Sequence, residues 1–153
     1  GLWALRILWL SLAMTPLKNW TGSSLWIHYR RMLGLFAFFY VFLHLLIYVF
    51  LLFGAQWAFI GSELSKRPYI IVGFIAFLLL IPLADTSTKK WQKKLGKNWL
   101  KLHKLVYLIS ILALIHVIWL KKLWFVAIWP YALVLFILLA ERLRIYWQRQ
   151  YIR

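Results

Sequence analysis

Three of the four histidines lie in runs apolar enough to cross a bilayer: His44 in LGLFAFFYVFLHLLIYVFLLF, and His103 and His116 in LKLHKLVYLISILALIHVIWL. An imidazole is costly in hydrocarbon and needs a partner there, so each marks a functional-site hypothesis. The chain has no cysteine and three acidic residues, which excludes disulfides and thiolate metal sites. Neutral nitrogens on apolar helices instead suit the iron of a haem. His44 lies 13 residues beyond Arg31, or ~20 Å of helix, and His116 lies 12 beyond Lys104, or ~18 Å. The two therefore reach matched depth on different helices, the arrangement that clamps one iron from both faces. His103, between Lys101 and Lys104, falls near the boundary, where a second redox centre would complete a relay. His103 and His116 stand roughly 140° apart in azimuth on an ideal helix, so they do not share a face. A single membrane histidine is as readily a hydrogen-bonding group between helices, and matched depth is what favours ligation. His28, among Trp26, Tyr29 and Arg30, reads as a loop residue at the interface.

The elements that must hold these residues follow from composition. Apolar residues make up 65% of the chain and charged ones 14%, against roughly 45–50% apolar in soluble domains. The chain is therefore read as an all-α integral membrane protein, a single domain over 1–153. Its apolar runs, at 2–15, 33–53, 69–84, 102–120 and 123–140, predict about five transmembrane helices, the first and third being short. Pro16, Pro68 and Pro130 are read as punctuating span ends, with Pro82 near the end of the third span. Trp57, Tyr69, Trp119 and Trp124 are read as interfacial anchors. The net charge of +16 falls in clusters between apolar runs, a pattern that fits anionic membrane lipid and topology signals, with no nucleic acid. Five spans would put 14 of the 19 Lys and Arg on one side, leaving Arg6, Lys66, Arg67, Lys121 and Lys122 for the other. That bias places the first side, with the C-terminus, in the cytoplasm. With Glu63, Asp85 and Glu141 as the only acids, a proton pump is poorly equipped.

The runs RRMLGLFAFFYVFLHLLIY at 30–48, SKRPYIIVG at 65–73, LADTST at 83–88 and LGKNWLKLHKLVYL at 95–108, followed by IHVIWLKK, resemble the MsrQ (YedZ) family. That family supplies the haem-binding membrane subunit of a bacterial periplasmic methionine sulfoxide reductase system, within the ferric-reductase-like transmembrane group. The resemblance implies a multi-pass inner-membrane bundle of six helices, here lacking the first. It implies haem b, one or two, with His44, His103 and His116 as the family's histidines. Relatives with two haems carry a fourth histidine where this chain has Arg30 and Arg31. The inner site is thus open between a haem with an unusual second ligand such as His28 and an FMN whose phosphate those arginines hold. The partners implied are a cytosolic flavin reductase as NAD(P)H-dependent donor and a periplasmic molybdenum-dependent methionine sulfoxide reductase subunit as acceptor. The chain would then be an electron-transfer subunit rather than the catalytic one. Two alternatives remain: a transmembrane ferric or cupric metalloreductase, and a non-redox membrane assembly or transport protein.

Overall fold

A computed structural model of the chain describes residues 1–52, 54, 57–120 and 125–151. Eight α-helices follow in order: α1 Leu2–Thr21, α2 Leu25–Leu46, α3 Trp57–Lys66, α4 Pro68–Asp85, α5 Lys89–Leu95, α6 Lys97–His103, α7 Leu105–Leu120 and α8 Phe125–Tyr151. No strand occurs among the described residues, as the absence of period-2 alternation predicts. Among the described residues, three segments are long and apolar enough to cross a membrane by length and composition: Leu25–Leu51, Pro68–Asp85 and Lys97–Leu120. The molecule is an all-α membrane bundle. α1 and α8 stand where the first and fifth spans were expected but fall outside that set. α1 interrupts its apolar run with Arg6 and Lys18, and α8 runs on into Glu141, Arg142 and Arg144.

α1 is the hub. Its buried residues Ala4, Leu5, Leu8, Trp9, Ser11 and Leu12 recur at helical spacing, and the helix packs on α2, α7 and α8. The closest pairings are α1 with α2 and α4 with α7. Small side chains let membrane helices approach, and here Ser11 faces Gly34 while its hydroxyl donates to the Arg30 carbonyl at 2.9 Å. Leu80, Leu83, Val106, Ile109 and Leu135 complete a core shared by α4, α7 and α8. Outward faces carry Phe36, Phe39, Phe42, Ile75, Leu78, Phe136 and Ile137, all exposed. An apolar exterior of that extent has hydrocarbon as its solvent.

Several local expectations change. Pro68 opens α4, where its missing N–H costs nothing, but Pro16, Pro82 and Pro130 lie inside helices. α1 continues past Pro16 to Gly22, whose φ of 71° supplies the left-handed cap. His28 belongs to the first turn of α2 rather than to a loop; it is exposed. The expected fourth span divides into α6 and α7 at Lys104. The segment between the third and fourth spans folds into α5 and α6, with the Thr88 hydroxyl accepting from Trp91 N as an N-cap. Trp119 is exposed at the end of α7, and Tyr69 is half-buried in the first turn of α4. Trp124 and the Trp57 side chain lie outside the described residues, as does the start of the fifth span.

Candidate functional site

His116 lies against the first turns of α4. Its Nδ1 is 2.6 Å from the Tyr69 carbonyl oxygen. A carbonyl only accepts, so Nδ1 carries the hydrogen and Nε2 keeps its lone pair. Gly73, one turn along α4, makes room for the ring: a Cβ there would sit 2.7 Å from His116 Nδ1. The Tyr69 ring leans on the imidazole at 6.1 Å and 54°. His44 is exposed on α2, with Nε2 facing Gly1 at the start of α1. Immediately beyond it the chain widens into a π-helix over Ile47–Leu52, a distortion often found beside functional residues. Among the described residues, no three His, Cys, Asp or Glu side chains gather to hold a bare metal ion. Two imidazoles are too few for a structural zinc but match the axial demand of a haem iron.

The opposite end of the bundle holds His103, the last residue of α6. Its Nε2 lies 3.2 Å from the Thr86 hydroxyl, which itself donates to the Pro82 carbonyl. Thr86 therefore accepts from His103, so Nε2 bears the hydrogen and Nδ1 the lone pair, the reverse of His116. The Trp99 indole stacks on this imidazole at 4.0 Å and donates Nε1 to the Thr86 carbonyl at 2.9 Å. Arg30 is close enough for its charge to bear on His103. It turns inward, Nη1 donating to Thr15 Oγ1 at 3.2 Å, and Arg142 from α8 donates Nη2 to the same oxygen at 2.7 Å. Arg142 also lies over the Tyr107 ring at 5.7 Å.

Of the five residues singled out by sequence, His44, towards the end of α2, and His116, in the later half of α7, lie at the same end of the bundle. His103 and Arg30 share the other, and Arg31 is exposed. His28 joins neither group. Sequence reasoning gave no site role to Thr15, Thr86, Trp99, Arg142 or the Tyr69 carbonyl, although Thr86, Trp99 and Tyr69 lie in the runs that carry the family resemblance. Gly73 had a signal: a glycine inside an apolar helix costs about 1 kcal/mol against alanine, and a close approach is the usual reason for it.

The fold and the paired histidines point to one class of protein. The ferric reductase like transmembrane component family matches residues 1–114, and the chain belongs to that family. More narrowly, it is 53% identical over 122 residues to the protein-methionine-sulfoxide reductase heme-binding subunit MsrQ of Xanthomonas campestris pv. campestris (strain 8004), covering 80% of this chain and 56% of the relative. The MsrQ subunit of Xanthomonas axonopodis pv. citri (strain 306) gives the same identity and coverage. That of Xanthomonas oryzae pv. oryzae (strain MAFF 311018) is 52% identical over the same shares. The resemblance read from the sequence is borne out. The chain spans about half the length of these curated relatives. No solved structure matches it.

Proposed function

We propose that the chain carries electrons across a bacterial inner membrane through a b-type haem, with His44 and His116 as its axial ligands. One observation carries this reading: His116 is held by the Tyr69 carbonyl with its Nε2 lone pair free, and His44 lies on another helix at the same end of the bundle. Backbone carbonyls that fix a ligand histidine's tautomer and raise its basicity recur at metal centres. A haem bound there supplies a one-electron couple at its iron. The chain's part is to orient both rings and to back the His116 ring with the α4 backbone at Tyr69 and Gly73. We read 1–153 as one haem-binding domain.

The names of the relatives support a place in methionine sulfoxide repair. In that reading, a cytosolic flavin-dependent NAD(P)H donor reduces the end bearing His103 and Arg30. The His44/His116 end delivers electrons to a periplasmic molybdenum-containing methionine sulfoxide reductase subunit. His103 with Arg30, and Arg31 next to Arg30 in the chain, would serve a second haem or an FMN on the donor side. The basic segments, including the C-terminal tail, lie in the cytoplasm.

Absorption spectra and a pyridine haemochrome assay on purified protein test this directly. His44→Ala and His116→Ala should each abolish the same low-spin signal, and the double change should remove little more, because the two act as one unit. A full bis-histidine spectrum in either single variant sinks the pairing. The family description also favours a metalloreductase. Mixing dithionite-reduced protein with a ferric chelate or with a methionine sulfoxide reductase separates the two acceptors.

A further inference from the structure

The structure holds a pair of positive charges that no carboxylate among the described residues balances. Arg30 of α2 and Arg142 of α8 both donate to Thr15 Oγ1 of α1, so two guanidinium groups stand one hydroxyl apart between three helices. The whole chain has three acidic residues. Glu63 pairs with Arg67, Glu141 pairs with Arg144, and Asp85 is exposed at the end of α4. The charged and phenolic groups bearing on Arg30 are Arg142 and Tyr107. Arg142 Nε is buried with no hydrogen-bond partner. Like charges brought out of water repel strongly, and a buried unmatched donor adds its own desolvation cost. Such a cluster is stable when an anion with several acceptor oxygens joins it, because guanidinium forks match carboxylate and phosphate edges.

We propose that Thr15, Arg30 and Arg142 form an oxyanion site that takes the phosphate or carboxylate arm of an amphiphilic ligand at the basic end of the bundle. The site deepens the donor-side reading above by assigning its anion to Arg142 and Thr15, and it rests on that reading only through Arg30. It needs neither His44 nor His116. The ligand's flat or apolar body would lie towards the stacked Trp99 and His103, which stand within electrostatic range of Arg30 through His103. Three sources share this chemistry: a flavin phosphate, a haem propionate and a phospholipid headgroup.

The test measures what leaves with the arginine. Full-length protein purified in detergent is assayed for FMN by fluorescence after denaturation, for haem by haemochrome, and for phospholipid by phosphorus content. Arg142→Gln should lower one of the three at least tenfold while size-exclusion elution stays that of the parent, and the one lost names the source. Arg142→Lys and Thr15→Val, milder changes, should lower the same component severalfold and serve if the glutamine variant fails to fold. His44→Ala and His116→Ala should leave the FMN and phospholipid content unchanged, so failure of the histidine pairing reads separately. Retention of all three components at parental ratios in folded Arg142→Lys and Thr15→Val overturns the site.

Discussion

Replacing Gly73 by alanine would place a methyl 2.7 Å from His116 Nδ1 and 2.9 Å from its Cε1. In a helix interior that change usually stabilises by roughly 0.5–1 kcal/mol, because alanine loses less chain entropy on folding. Here the methyl displaces a ring tied to the Tyr69 carbonyl, so the sign should reverse. Gly73→Ala is expected to lower both haem content and the thermal midpoint in detergent, whereas Gly61→Ala, with open space around it, should not. Unchanged haem in Gly73→Ala would remove the glycine from the site. Thr86→Val asks the corresponding question at the other end. It deletes the hydroxyl that holds His103 and should cost about 1 kcal/mol of stability, the net worth of a typical hydrogen bond, with the His44/His116 spectrum intact. A matching loss of that spectrum would mean the two ends are not independent. The depth of His44 and His116 was legible in the sequence because helical rise is linear in residue number. Their supports were not. A main-chain carbonyl has no sequence signature, and Tyr69 lies 47 positions from the ring it holds.

Helices are where the sequence misled in one consistent way. Pro16 and Pro130 were read as end marks, yet they lie inside α1 and α8. Tertiary packing and the apolar surroundings hold such a helix together, since unpaired backbone groups find no water to release them to. The reverse error occurs at 85–101, where a basic, polar stretch between spans reads as a loop but folds as α5 and most of α6. Gly96 joins these two helices at φ 50° and ψ −122°, a conformation that side chains avoid at a cost on the order of 1–3 kcal/mol. Because α6 carries both Trp99 and His103, Gly96→Ala should loosen their stack. Trypsin should then cut the lysine-rich stretch Lys89–Lys97 several times faster than in the parent, with the outer haem spectrum unchanged. Equal cleavage rates would show that the turn tolerates a side chain and that α6 is held from elsewhere.

For the molecule as a whole, the contacts define two ends without reference to charge. Thr15, Arg30, Arg142, Thr86 and His103 tie the end of α1, the start of α2, the end of α4 and the end of α6 together at one of them. Gly1, His44, Tyr69 and His116 tie the start of α1, the end of α2, the start of α4 and the later half of α7 at the other. The same antiparallel order was legible in the sequence because apolar runs alternate with polar ones. What contacts cannot supply is direction, and there the distribution of Lys and Arg decides. A phosphatase reporter, active only outside the cytoplasm, should stay silent when fused after Arg153 and be active when inserted at Gly61. A fluorescent protein that matures in the cytoplasm should give the opposite pair. The reverse pattern would carry a specific consequence: the oxyanion cluster and His103 would face the periplasm, beyond reach of a cytosolic flavin. Electron entry would then have to begin at His44 and His116, and the donor and acceptor proposed for the two ends would exchange places.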